Sequence, residues 1–383
     1  MCFHLDIGYS QLNKKGEEIC GDSIEVLQSD DSSIIVLADG LASGIKASIL
    51  SRITAKTAAT LLKAGCHIED VIETMAETLP VDSLRNLAYS TFSILQVFKN
   101  GQAYLVEFDS PPSYFGQNGL LKPLERSYRT IENKRIAESY IDLQDGNWLV
   151  LISDGVLHAG IGNVLNTGWG EHEVGRFIRG LAAKDYDAVD WANEVTEKCD
   201  ELYGGSPGDD VSVAVVKIRK ARKLTALIGP PRDSSYDRRT VEKLVESEGK
   251  KVVCGGTTSL MVSRVLKKSV EVNFDTESEK VPPTGSIEGI DLVTEGAITI
   301  YYALEHLKSG VKLKNLDWVV DGAGLLAMEL LKADEVHFMV GLAINKALHY
   351  PGFPVSCVCK NQTVRDLAEE LVKKGKKVAI EYI

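Results

Sequence analysis

The sequence predicts an α+β chain in two parts: a larger one of antiparallel strands with helices, and a smaller α/β one with a largely parallel sheet. Three observations carry that expectation. At 383 residues the chain exceeds what one ordinary core fills. In the first part, two apolar strands meet across Lys99-Asn-Gly101, a hairpin signal. After Arg219-Lys-Ala-Arg-Lys223 the texture changes to alternating strand and helix, the rhythm of a parallel sheet. Such a basic run more often marks a solvated linker than a binding site, so the boundary is expected there, between 1–218 and 224–383.

Residues 1–29 alternate enough for one or two strands, with Asp22 inside Ile19-Cys-Gly-Asp-Ser-Ile24. Ile34 to Ala38 is short, continuous and β-branched, as a buried strand is. Asp39 stands where that strand leaves the core, and Gly40 and Gly44 permit a tight turn. A helical period follows over 45–64, with Ile45, Ile49, Ile53 and Leu61 or Leu62 on one side and Gly65 as its stop. A second helix is expected over 68–79, strands over 90–98, 102–108 and 147–153, and helices over 171–183 and 187–203. Gly204-Gly-Ser-Pro-Gly208 ends the last of these, and Asp209-Asp210 leads into a strand over 211–218. In the second part, strands are expected over 224–228, 251–254, 270–274, 354–358 and 377–382. The helices between them fall over 238–248, 259–266, 295–309, 322–333 and 364–374.

Composition narrows the function. Hydrophobic content of 44% with 25% charged residues is that of a globular protein. A net charge of -11 argues against nucleic acid as a main ligand, because tracking phosphates needs a basic excess. No apolar run approaches the roughly 20 residues that cross a bilayer, so no membrane role is expected. The start, Met1-Cys-Phe-His-Leu-Asp6, lacks the basic flank of a secretion signal, and a cytoplasmic location is expected. Seven scattered cysteines read as reduced thiols, and Cys357-Val-Cys359 lacks the second pair a zinc site wants.

Three strand ends carry acids. Asp39 and Asp154 each follow an apolar strand and precede glycine, and Asp209 and Asp210 precede one. If those strands are antiparallel neighbours, the exit of one lies beside the entrance of the next, and the carboxylates meet at one edge. Asp22 could join them. Carboxylates gathered without a partner repel, and a divalent cation relieves the conflict. Oxygen ligands alone favour Mg²⁺ or Mn²⁺ over Zn²⁺. Two such ions sharing a water make a hydroxide at neutral pH, suited to a phosphate ester. The plain alternative is three unrelated Asp turns, since Asp-Gly is also a turn signal.

With those residues in view, 1–218 resembles a metal-dependent protein Ser/Thr phosphatase of the type 2C superfamily (PPM type), in its bacterial stage II sporulation protein E-like branch. The resemblance rests on Gly21-Asp22-Ser23, Ala38-Asp39-Gly40 with Gly44-x-x-Ala47, Ser153-Asp154-Gly155, and Gly208-Asp209-Asp210-Val211-Ser212, in that order. Asp109-Ser-Pro-Pro112 resembles the family's Gly-His-Pro-Pro turn with different leading residues. The resemblance implies an αββα sandwich, two antiparallel sheets flanked by helices, holding two Mn²⁺ or Mg²⁺ ions. It implies Asp22, Asp39, Asp154 and Asp209 as catalytic metal ligands, the Gly40 carbonyl as another, and Asp210 as a support for Asp209. It implies hydrolysis of phosphoserine or phosphothreonine on a partner protein by a metal-bridging hydroxide, in bacterial signalling. The helix from Gly44 matches an element thought to switch metal occupancy in this branch. The Arg-Gly-x-Arg phosphate clamp of the eukaryotic enzymes is missing near the N-terminus, and His4, Lys14 and Lys15 are the cations there that could approach a phosphate. A C-terminal domain is expected after this part, where the family's usual accompaniment is an N-terminal sensor or membrane domain.

For 224–383 the sequence says less. Val253-Cys-Gly-Gly-Thr-Thr-Ser259 follows a strand and opens a helix, a plausible small-molecule or anion site, with Thr257 and Thr258 equally readable as helix caps. Pro282 to Gly289 and Leu292 to Gly296 read as loops able to form a lid or partner surface, with Glu288, Asp291 and Glu295 among them. Two other readings stay open: a catalytically silent partner-switch module, and an enzyme seated in the second part. A homodimer is also left open.

Overall fold

In a computed structural model, residues 3–29, 31–40, 43–78, 90–132, 134–184, 186–310, 320–343 and 360–383 are described. The chain forms two compact units, Met1–Lys220 and Ala221–Ile383.

The first unit is a sandwich of two antiparallel sheets. One sheet runs in the order β1 (Phe3–Leu12), β11 (Val211–Lys220), β10 (Asn147–Ile152), β6 (Tyr114–Gln117), β7 (Leu120–Lys122). The other runs β2 (Ser23–Gln28), β3 (Ser32–Asp39), β4 (Thr91–Phe98), β5 (Gln102–Phe108), β9 (Lys134–Asp142), β8 (Ser127–Ile131). Alternation places successive residues of each strand on opposite faces. Ile35 and Leu37 of β3 join Leu149, Leu151, Ala214 and Val216 in the core between the sheets. Ile34, Val36 and Ala38 turn the other way, onto α1 (Gly44–Lys63) and α2 (Ile68–Thr78). Val150 and Ile152 likewise meet α4 (Gly170–Leu181) and α5 (Ala188–Tyr203) on the far side of the first sheet, while α3 (Asp154–Leu157) is a single turn after β10. Both faces of β3 and β10 are covered, which is why their sequences are continuous apolar runs rather than alternating ones.

Helix α1 corrects the sequence reading. Its buried face is made of small residues, Ala47, Ser48, Ser51, Thr54, Ala55, Ala58 and Ala59, with Leu62. Ile45, Ile49 and Ile53 point to solvent instead, at 66%, 54% and 41% exposure. Small side chains let α1 approach the sheet closely, with Ser51 Oγ donating to the Gly21 carbonyl at 2.6 Å.

The second unit has one seven-stranded sheet in the order β14 (Glu271–Asn273), β15 (Thr284–Ile287), β16 (Ile290–Thr294), β13 (Lys250–Cys254), β12 (Lys223–Ile228), β17 (Glu335–Val340), β18 (Lys377–Tyr382). From β16 to β18 the pairing is parallel, and β14 and β15 join it antiparallel. Helices α6 (Asp237–Glu246) and α7 (Gly256–Leu266) cover one face with Leu227 and Val253. Helices α8 (Ala297–Lys308), α9 (Gly322–Lys332) and α10 (Lys360–Lys373) cover the other with Leu224, Ala226 and Ile228.

Two sequence expectations change here. The stretch from Pro282 to Gly296, read as loops, is largely the β15–β16 hairpin; Asp291 there is tied to the Lys250 ammonium at 3.1 Å. Helix α7 begins at Gly256 rather than Ser259, so Thr257 and Thr258 lie inside its first turn and Gly255 holds the capping position. The strand expected over 354–358, with Cys357 and Cys359, lies outside the described residues. No described helix is long and apolar enough to cross a membrane.

Candidate active site

The acids come together at one edge of the sandwich. Strands β10 and β11 are antiparallel neighbours, with Ile152 opposite Val213, so the exit of β10 faces the entrance of β11. The Ser153 N–H donates to the Ser212 carbonyl at 3.0 Å and the Ser212 N–H donates to Ser153 Oγ at 2.9 Å, clamping the two ends. Asp154 starts α3 immediately after. Gly155 must be glycine there, because a Cβ would stand 2.0 Å from the Asp210 carbonyl oxygen.

The other sheet delivers its acids beside these. Ser23 pairs with Ala38, which places Asp22 and Asp39 at the same end of β2 and β3. Asp39 interacts with both Asp22 and Asp154, so the acids of the two sheets form one cluster. Gly21 and Gly40 pack closely behind it: a Cβ on Gly21 would lie 2.7 Å from Asp210 Oδ2, and one on Gly40 would lie 2.4 Å from the Ala47 carbonyl oxygen. The start of α1 therefore rests directly on the turn after Asp39.

The consecutive acids differ. Asp210 is buried, and its Oδ1 accepts the Lys14 N–H at 3.0 Å. Asp209 is half-exposed; its Oδ1 accepts the Asp210 N–H at 3.0 Å and lies 3.8 Å from Lys14 Nζ. One ligand atom each from Asp154, His158 and Asp209 lie within 4.8 Å of one another. His158 had no place in the sequence reading, although four residues after Asp154 it falls on the same face of a helical turn. Its Nδ1 is 3.9 Å from Asp154 Oδ2. Of the cations considered from sequence, Lys14 stands in the cluster. Lys15 donates its backbone N–H to the Pro207 carbonyl at 2.8 Å. His4 pairs with Arg219, eight residues along β1 from the Leu12–Val211 pair that adjoins the cluster, and is no part of the site.

The electrostatics show what this cluster lacks. Burial raises the Asp39 carboxyl far above its ordinary value, and the charges of Asp22 and Asp154 push it further. Burial also raises Asp22, against hydrogen bonds from Ser212 and Ser153 that lower it. Asp209 is raised by burial and by Asp154. Asp22 Oδ2 is buried with no hydrogen-bond partner among the described residues. A buried acceptor without a donor, in a group of carboxylates that suppress one another's ionisation, is the environment a divalent cation suits. The donor set of carboxylate oxygens with one imidazole fits such an ion.

Comparisons with known proteins bear on the first unit. Residues 29–219 match the family model of stage II sporulation protein E (SpoIIE). Among solved structures, the PP2C phosphatase domain with a fragment of the regulatory domain of SpoIIE from Bacillus subtilis is 21% identical, covering 57% of this chain and 62% of that one, with a TM-score of 0.48. This chain thus spans less than two thirds of that structure. RsbX in complex with magnesium is 19% identical over 56% of this chain and 96% of that one, with a TM-score of 0.39. The SiaA-PP2C domain of Pseudomonas aeruginosa is 15% identical over 55% and 85%, with a TM-score of 0.41. No curated protein matches the sequence.

Proposed function

Residues 29–219 being a PPM-type, SpoIIE-like phosphatase segment, we propose that the chain is a metal-dependent protein serine/threonine phosphatase of bacterial signalling. The observation that carries this reading is the meeting of Asp22, Asp39, Asp154 and Asp209 from four places in the sequence, where burial and the neighbouring carboxylates raise the Asp39 pKa. In this reading Asp22, Asp39, Asp154, Asp209 and the Gly40 carbonyl hold two Mn²⁺ or Mg²⁺ ions. Such ions, when bound, supply an activated water and neutralise phosphoryl oxygens.

The protein's own groups have distinct tasks. Asp210, buried and hydrogen-bonded by the Lys14 N–H, orients the loop that presents Asp209. Lys14 Nζ, at the open side of Asp209, attracts the phosphoryl group of the substrate. His158, with its Nδ1 3.9 Å from Asp154 Oδ2, adds an imidazole donor beside the carboxylates. The substrate is a phosphorylated partner protein, and the second unit senses a ligand or docks that partner. The location proposed is the cytoplasm.

The test is Mn²⁺-dependent hydrolysis of an aryl phosphate and of a phosphoserine peptide by the full chain. Asp39→Asn and Asp154→Asn should each lose more than the roughly 10–100-fold that outer partners of a metal ligand cost. Equal activity in the wild type and both variants would sink the metal-phosphatase reading. Hydrolysis that survives both variants and excess chelator would move the activity to the second unit.

A further inference from the structure

The second unit carries a cavity of about 170 Å³ at the carboxyl ends of its parallel strands. The chain begins this sheet at β12, steps to β13 and β16 on one side, and returns to β17 on the other. The strand order therefore reverses at β12, and ligand sites of open α/β sheets fall at such reversals.

Three kinds of donor converge there. Helices α7 and α8 both start at the cavity; the α7 start, at Gly255, has no side-chain cap, whereas the Glu295 carboxylate accepts the Ile298 N–H of α8 at 3.3 Å. The two starts are held backbone to backbone. The Gly255 N–H donates to the Thr294 carbonyl at 2.9 Å, and a Cβ on Gly296 would lie 3.3 Å from Gly255 Cα. Gly255 has φ +118°, and a Cβ there would meet Thr258 Oγ1 at 2.8 Å, so the loop is shaped for glycine.

The second donor is Thr258. It lines the cavity and is 1% exposed, and its Oγ1 has no hydrogen-bond partner among the described residues. A buried hydroxyl without a partner is costly, and a ligand acceptor would relieve it. The third is Lys360, the first residue of α10. Burial lowers its pKa, no carboxylate contributes to its titration, and its Nζ donates to the Gly341 carbonyl. Glu295 also lines the cavity, but its Oε2 accepts the Ile298 N–H at 3.3 Å.

We propose that this cavity binds a phosphoryl group, as orthophosphate or as the head of a small phosphate monoester, with the α7 N-terminus, the Thr258 hydroxyl and the Lys360 ammonium as donors. The uncapped start of α7 favours an anion, and an ammonium and a hydroxyl beside it suit a group with several acceptor oxygens. A cavity of about 170 Å³ has room for a phosphoryl group and a few carbons. Ile228, Pro230 and Ile300 supply the apolar wall that a short carbon body would touch.

This inference stands apart from the phosphatase reading, and its test is arranged accordingly. Calorimetric titrations use the full chain in excess chelator and in an Asp154→Asn background, so that the first unit contributes no metal-dependent phosphate binding. The probes are orthophosphate and glycerol 3-phosphate. Saturable one-to-one binding is expected. It should weaken about tenfold in Lys360→Met and severalfold in Thr258→Val. Tighter binding of glycerol 3-phosphate identifies a monoester as the occupant; equal binding identifies free phosphate. Thr258→Val keeps the side-chain shape and removes an unpaired hydroxyl, so its ligand-free Tm should equal or exceed that of the wild type. Absence of saturable binding for both probes at millimolar concentration overturns the proposal, as does affinity unchanged in either variant.

Discussion

The Cα–H of Gly155 faces the carbonyl oxygen of Asp210 so closely that a Cβ on Gly155 would sit 2.0 Å from it. The obstacle is backbone, which cannot swing aside as a side chain tip can. Gly155→Ala should therefore push α3 away from the entrance of β11, separating Asp154 from Asp209. A loss of about 1–3 kcal/mol in unfolding free energy is expected, together with a sharp fall in Mn²⁺-dependent activity. Gly180→Ala is the control: nothing lies within 4 Å of a Cβ at that position of α4. It should gain roughly 0.5–1 kcal/mol. Denaturant titration of both variants reads the contrast.

The acidic cluster predicts an unusual pH dependence for the metal-free protein. Asp39 and Asp22 are both raised on folding, chiefly by burial. As pH climbs above the ordinary Asp value of 3.8, the unfolded chain gives up these protons first. The folded state then binds more protons, and stability falls with rising pH. In chelator, the wild-type Tm should decline between about pH 5 and about pH 8, and Asp39→Asn should decline less. Added Mn²⁺ should raise the wild-type Tm most at the upper end, where the anions it neutralises are otherwise least tolerated. Parallel Tm curves for wild type and variant would contradict this account.

Lys14 separates metal affinity from substrate affinity. Its ammonium lies 3.8 Å from Asp209 Oδ1 and is about one third exposed. At that exposure the pair is worth no more than about 1 kcal/mol, or roughly fivefold. Lys14→Met removes a cation that competes with a metal for Asp209, so Mn²⁺ should bind up to about fivefold tighter. The same change removes a cation from the substrate side, so KM for a phosphopeptide should rise. Opposite shifts in the two constants are the expected signature. A parallel weakening of both would instead assign Lys14 to holding the loop.

Much of this architecture is legible in residue patterns, and the exceptions have physical causes. Ile34 to Ala38 and Trp148 to Ile152 are apolar without interruption because each strand is covered on both faces. The acids at their ends stand out for that reason. His158 was open to detection from its four-residue spacing to Asp154, but a single helical turn leaves no periodic pattern to prompt the search. Lys14 approaches Asp209 from 195 positions away, a contact that no local signal encodes. The β15–β16 hairpin was hidden because its residues are Thr284, Gly285 and Ser286, and its pairing partners are chosen by the sheet.

Helix α1 gives the instructive inversion, and the last prediction. The heaviest apolar residues at helical spacing, Ile45, Ile49 and Ile53, share one side of the helix, and that side is the outer one. They are exposed, while the inner face carries mostly small side chains where Ala47 meets the turn at Gly40 and Ser51 meets Gly21. Ala58, fully buried in the cluster that also holds Val36 and Ile94, marks the true inner face. Ala58→Leu should then cost about 1–3 kcal/mol by overpacking, although it makes the helix more hydrophobic. Ile49→Gln should change unfolding free energy by no more than about 0.5 kcal/mol, although it removes a large apolar side chain. Chemical denaturation of the two variants decides which face is packed: a costly Ile49→Gln with a tolerated Ala58→Leu would mean that α1 is rotated by about half a turn. In that rotated arrangement Ser51 could not reach the Gly21 carbonyl, and the turn carrying Asp22 would lose the contact that now fixes it.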